Sequence, residues 1–336
     1  MTPKSLHFPV AALATAALFF TGCSKGVKPV EQSLPVSPSA FPAGGGRSVA
    51  WDVTLPATAT SGSMEVTEWV SNTVGEINSN ITTSVDPGYV MVGGGAQVKD
   101  PGGNANNVDA ILTAAYPVND GTFSTYAGSD KDHGGITYVS DLYVYVIGVK
   151  LTSQSGSVIP TSSIIPHLVI EQATSTPPAD DPFQYVDAPL GGWQVVSGGA
   201  MDNYGTGYGN LLTENDYVST TAYAKGKDQK KVDLSTITAY ALCYDNQLIS
   251  GWGYFQLGYQ SGTVNVNNDL MGLVVTILGN YAVAGVGGFS QSTGYGRLLY
   301  GVYSSASTVG DFQSKDQDVV DKTGSLSGIV TYIAPK

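Results

Sequence analysis

Gly88-Tyr89-Val90-Met91-Val92-Gly93-Gly94-Gly95-Ala96 recurs without a gap as Gly192-Trp193-Gln194-Val195-Val196-Ser197-Gly198-Gly199-Ala200. Asn280-Tyr281-Ala282-Val283-Ala284-Gly285-Val286-Gly287-Gly288 is a looser third copy. Val90 and Val92 alternate at period two before the glycines, the spacing of a strand. Paired glycines inside a strand mark a bulge or a close backbone approach, because glycine has no Cβ to block either.

Working outward, each copy is followed by the same features in the same order. An apolar pair opens a short strand: Ile111-Leu112-Thr113 leading to Tyr116, Leu211-Leu212-Thr213 leading to Tyr217, and Leu298-Leu299-Tyr300 leading to Tyr303. Lysine-aspartate pairs come next, at Lys131-Asp132, Lys227-Asp228 and Lys315-Asp316. Each copy closes on an alternating run around a tyrosine: Tyr145, Tyr240 and Tyr332. Such self-similarity marks a repeat architecture, with repeats at about 48–150, 158–245 and 249–336. β-branched and aromatic residues dominate the runs, and no amphipathic helix is evident in 48–336. The expectation is an all-β fold of three related antiparallel sheet repeats. In this alignment Cys243 falls opposite Gly148 and Pro335.

The stretch from Leu270 to Phe289 is apolar apart from Thr276 and Asn280. Gly279-Asn280 splits it into two β-branched runs, which predicts a buried hairpin rather than a membrane span.

Three repeats of several strands imply three sheets around a pseudo-threefold axis. That arrangement resembles β-prism proteins such as the jacalin-type lectins and the vitelline membrane outer layer proteins. No lectin sugar-binding motif carries over residue by residue. Locally, Gly93 to Ala96, Leu112 to Pro117 and Tyr240 to Cys243 are similar to repeats of secreted actinobacterial proteins of unassigned function.

The N-terminus carries a targeting signal. Lys4 is the only full charge before an apolar run from Phe8 to Phe20, and Phe20-Thr21-Gly22-Cys23 follows. A short basic region, an apolar core and small residues before a cut describe a secretory signal. The last four residues resemble the bacterial lipobox, which implies cleavage after Gly22 and acylation of Cys23. Acyl chains contribute ~0.8 kcal/mol per buried CH₂, so several on one cysteine anchor stably to a membrane. Ser24 in place of aspartate implies, by resemblance to enterobacterial sorting, the outer membrane. Residues 23–47 contain Pro29, Pro35, Pro38 and Pro42, then Gly44-Gly45-Gly46, the composition of an extended tether. The all-β domain is expected over 48–336.

Composition excludes some partners. The chain holds 15 Lys and Arg against 27 Asp and Glu, a net charge of −12. Nucleic-acid affinity comes from basic residues neutralising phosphates, so a nucleic-acid partner is not expected. With Cys23 committed to lipid, Cys243 has no partner for a disulfide. It sits in an apolar run, Ala239 to Tyr244, and is expected to be buried and inert.

Candidate chemistry follows the lysine-aspartate pairs. Each has an aromatic a few residues upstream: Tyr126 before Asp132, Tyr223 before Asp228, Phe312 before Asp316. A ring that packs on a pyranose face, beside a carboxylate that accepts hydroxyl hydrogen bonds, makes a sugar site. The alternative is a turn-shaping aspartate and a core aromatic. Asp100, Asn104, Asn106, Asn107 and Asp109 crowd one glycine-containing loop and offer oxygen ligands for calcium, though not at EF-hand spacing. His133 has no second histidine at zinc-ligand spacing. Neither a Gly-x-Ser-x-Gly elbow nor a phosphate-binding Gly-x-x-x-x-Gly-Lys loop is present. A glycosidase needs only two carboxylates, for which Asp180-Asp181 or Glu214 with Asp216 are available.

The first expectation is a non-catalytic, membrane-anchored, extracytoplasmic binding module for carbohydrate. The alternatives are an envelope assembly protein docking on another protein, and a carboxylate-based hydrolase. Binding predicts three quasi-equivalent pockets, assembly one contiguous apolar patch, and hydrolysis one cleft with two facing carboxylates.

Overall fold

A computed structural model of the chain describes residues 46–99, 110–132, 139–204, 210–228, 233–265, 270–292, 297–315 and 324–336. The described residues are all-β, apart from two single turns of 3₁₀-helix at Thr161–Ser163 and Ile165–His167. Repeat one supplies β1 (Ser48–Leu55), β2 (Ser63–Asn72), β3 (Asn80–Ser84), β4 (Val90–Lys99), β5 (Ala110–Pro117), β6 (Thr125–Asp132) and β7 (Asp141–Thr152). Repeat two supplies β8 (Leu168–Thr174), β9 (Phe183–Asp187), β10 (Gln194–Asn203), β11 (Leu211–Val218), β12 (Thr221–Lys227) and β13 (Thr236–Tyr244). Repeat three supplies β14 (Phe255–Asn265), β15 (Leu270–Thr276), β16 (Ala282–Gln291), β17 (Leu298–Ala306), β18 (Val309–Lys315) and β19 (Ser325–Pro335).

These strands form three antiparallel sheets: β1-β2-β7-β4-β17-β18-β15 (sheet I), β3-β6-β5-β10-β13-β8 (sheet II) and β14-β19-β16-β11-β12-β9 (sheet III). No sheet is one repeat. With β1 set aside as an extra edge strand, each repeat has six strands among the described residues. Every sheet takes the first, sixth and third of one repeat and the fourth, fifth and second of another. The exchange runs cyclically through all three repeats, which makes the pseudo-threefold fold a closed ring of shared sheets. The ladders that join repeats are short, two register pairs each: Ala96 and Gln97 with Val302 and Gly301, Ala200 and Met201 with Ala115 and Ala114, Gly288 and Phe289 with Asn215 and Glu214.

The glycine-rich strands behave as their sequence dictates. Each bulges at the same place: Val92, Val196 and Ala284 are the residues skipped in the ladders to β7, β13 and β19. The glycines that follow allow the strands to touch. A Cβ on Gly93 would lie 2.1 Å from the Ala284 carbonyl oxygen, and one on Gly285 would lie 2.2 Å from that of Val196. Both expectations, bulge and close approach, hold together. The apolar pairs divide their labour as strand alternation requires. Leu112, Leu212 and Leu299 enter the main core, while Ile111, Leu211 and Leu298 meet in a separate buried cluster.

Two expectations need correction. Leu270 to Phe289 does split at Gly279-Asn280, but the two halves are not a hairpin. β15 pairs with β18 in sheet I and β16 with β19 in sheet III, because the exchange sends second and third strands of a repeat to different sheets. The third repeat is also out of step by three residues. Tyr145 pairs with Gly95 and Tyr240 with Gly199, but Gly287 pairs with Ile329. Tyr332 pairs with Val283, as Gly148 does with Met91 and Cys243 with Val195. Cys243 therefore corresponds to Gly148 and Tyr332, not to Pro335. It is buried, and burial pushes its thiol up to about 12, which disfavours the reactive thiolate.

Candidate functional site

The lysines of the three Lys-Asp pairs are structurally equivalent: Lys131, Lys227 and Lys315 pair with Ile111, Leu211 and Leu298. The aromatics are not. Tyr126 lies five residues before its lysine, Tyr223 four and Phe312 three. Period two then places Tyr126 and Phe312 on one face of their strands and Tyr223 on the other. Tyr126 and Phe312 are fully buried. Tyr126 donates its hydroxyl to the Gly198 carbonyl at 3.4 Å, and the Phe312 ring occupies the space where a Cβ on Gly328 would fall. Neither has a face open to a ligand.

Of the aspartates, Asp228 is half-buried and accepts a hydrogen bond from the Asp233 amide at 2.5 Å. Burial first, then nearby acids, push its carboxyl up to about 6. The Asp132 side chain, Asp316, the calcium candidates Asp100, Asn104, Asn106, Asn107 and Asp109, His133 and Cys23 lie outside the described residues. Among the described residues no group of three or more His, Cys, Asp or Glu is arranged to hold a metal, and no helix is long and apolar enough to cross a membrane.

Tyr223 alone among the candidate aromatics reaches the surface, where it joins two residues that the repeat pattern did not single out. β9 is the edge strand of sheet III and pairs only with β12. The alternation Phe183-Gln184-Tyr185 turns both rings to the face that carries Tyr223. Tyr185 sits directly opposite Tyr223, and Phe183 opposite Lys225. The three ring centroids form a triangle with sides of 6.4, 6.4 and 6.5 Å. Phe183 is 47% exposed and Tyr185 51%. Ala222 and Ala224, pointing the other way, are buried. Strand alternation alone therefore fixes an aromatic triangle against solvent.

One strand further in, β11 presents two carboxylates on the same face, Asp216 opposite Tyr223 and Glu214 opposite Lys225. Burial pushes Glu214 up to about 7; the Asp216 charge adds to this and Lys225 opposes it. Burial pushes Asp216 up to about 6, against a 2.8 Å hydrogen bond from the Tyr217 amide. They stand side by side on one strand rather than facing each other across a gap.

The corresponding positions in the other sheets are closed. Tyr145 stacks on Tyr303 in sheet I, centroids 5.2 Å apart and planes at 20°, and Tyr116 stacks on Tyr240 in sheet II at 4.7 Å and 20°. By register the third pair is Asp216 and Ile329. The threefold pattern thus breaks beside the aromatic triangle, and it breaks by replacing a tyrosine with a carboxylate.

No family model matches the chain, and comparison with the curated proteins found no match.

Proposed function

We propose that this chain is a glycan-binding protein, held to a membrane by lipid on Cys23, that takes its ligand on Phe183, Tyr185 and Tyr223. The observation that carries this reading is the exposed aromatic triangle at the edge of sheet III. Exposed rings grouped together cost solvation, and a sugar offers them a C–H face to pack against. Asp216 and Glu214 supply acceptors for hydroxyl groups at the rim. Among the described residues the site occurs once, so the ligand is held by one platform rather than by three equivalent pockets. Electrophoresis of the purified full-length chain through gels containing soluble polysaccharides tests this. Retarded migration that Tyr185→Ala restores supports it; unretarded migration in every polysaccharide counts against it.

A second reading has an observation of its own. Leu190, 98% exposed, follows β9, and Val218, 46% exposed, ends β11 on the face that carries Asp216. β9 also carries an unpaired edge, the feature that accepts an added strand. This favours the assembly role, in which a protein partner covers the aromatic edge. Leu190→Asp distinguishes the two readings: it abolishes docking of a protein and leaves sugar binding intact.

A further inference from the structure

At the opposite edge of sheet III from β9, a hollow of about 430 Å³ opens between the turn after β1, the start of β14, the turn before β16 and the end of β19. Its volume falls in the range of small-molecule sites, about 300–1,000 Å³. Leu55, Pro56 and Pro335 give it apolar walls, and Tyr281, Asn280 and Gln256 give it a ring and two amides. Among the described residues that line it there is no Asp, Glu, Lys or Arg.

The polar side is preorganised. The Tyr281 hydroxyl accepts a 3.3 Å hydrogen bond from the Gln256 side-chain amide, and its ring packs on Tyr332 with centroids 4.7 Å apart. Gly279, at φ 98°, turns the chain into this position, and a Cβ there would lie 3.1 Å from the Tyr281 ring. Thr58 holds the facing turn through its hydroxyl, which accepts from the Ser61 amide at 3.0 Å.

We infer that this hollow is a second binding site, which takes a neutral hydroxylated ring such as a terminal hexose. The ring of Tyr281 and the prolines pack on the apolar face, and the two amides pair with hydroxyls, which need both donors and acceptors. A charged ligand would be desolvated without a counter-charge, so the site selects against it. The site stands apart from the β9 platform and does not depend on what that platform binds.

Saturation-transfer NMR on the purified full-length chain tests this with methyl α-D-glucopyranoside and methyl α-D-galactopyranoside, and with glucuronate as the charged control. At least one neutral glycoside is expected to receive saturation. Tyr281→Leu and Asn280→Ala should each reduce it about tenfold, Tyr185→Ala should leave it unchanged, and glucuronate should receive about tenfold less. Asn280 is exposed, so its variant reports even where Tyr281→Leu fails to fold. Absence of transfer, transfer that survives Asn280→Ala, or equal transfer to glucuronate overturns the inference. Transfer lost with Tyr185→Ala but kept with Asn280→Ala assigns the sugar to the β9 platform and likewise overturns it.

Discussion

Tyr145, from repeat one, stacks on Tyr303, from repeat three, across a seam where only two backbone register pairs join the repeats. The Tyr145 hydroxyl and Gln97 are 3.4 Å apart, and Gln97 in turn donates to Gln313 at 2.9 Å. From the far edge of the same sheet, Trp51 on β1 donates to Ser304 on β17 at 3.3 Å, so sheet I curls back on itself. With so short a ladder, side chains carry much of the hold between repeats. A double-mutant cycle on Tyr145→Leu and Tyr303→Leu, read by chemical denaturation, is expected to give a coupling of about 0.5–1.5 kcal/mol. Additive losses would mean that the rings are independent core residues.

The close approach of the glycine-rich strands makes Gly93 intolerant of a methyl group, since the nearest obstacle is the backbone oxygen of Ala284 rather than a movable side chain. Gly93→Ala should destabilise by about 3 kcal/mol. Gly272→Ala, where nothing lies within 4 Å of the new Cβ, should stay within about 0.5 kcal/mol of the parent. Thermal melts of the two variants check the contrast.

Stability should fall as pH rises. Asp130 and Asp202 are pushed up to about 6, chiefly by burial, and Glu68 lies well above the usual carboxylate range for the same reason. An acid whose pKa is raised on folding binds its proton more tightly in the native state. Its contribution is fully present below the unfolded pKa, near 4, and is lost as pH climbs through the folded one. Melting temperature is expected to drop by roughly 5 °C or more between pH 4.5 and 7.5. Glu68 accepts a hydrogen bond from Ser304, which a glutamine oxygen can also accept. Glu68→Gln should therefore flatten the alkaline part of the decline without destabilising the protein at pH 4.5.

Much of the fold was legible in the sequence, but the strand exchange was not. The bulges could be read because Gly93 to Gly95 and their copies have no other use in a strand. Order along the chain, however, does not say which repeat a strand joins, and the joining ladders carry residues as plain as Ala115 and Ala200. Tyr332 misled because it matched by residue type while the register made Ile329 the equivalent. The site was missed for a related reason. Phe183 and Tyr185 correspond to Asn80 and Thr82 in repeat one and to Gly272 and Val274 in repeat three. A search for features that recur three times finds residues that fold the protein, such as Tyr126 and Phe312, and passes over a platform present once.

The carboxylates at the rim set a pH dependence for the platform. Glu214 and Asp216 ionise near 7 and 6, and an ionised oxygen is the stronger acceptor for a hydroxyl. Glycan affinity at the β9 edge is expected to rise about three- to tenfold between pH 5 and 8. In the variant carrying Glu214→Gln and Asp216→Asn it should be flat. Calorimetric titration across that range checks both.

The most direct measurement is a glycan array probed with a parent chain carrying Asn280→Ala, which silences the hollow beside Tyr281, and with a variant of that chain carrying Phe183→Ala and Tyr185→Ala as well. The platform account predicts a specific signal from the parent chain that falls at least about tenfold in the variant, while both keep the same melting temperature. A signal that survives the double substitution, or a blank array from folded parent protein, would contradict it.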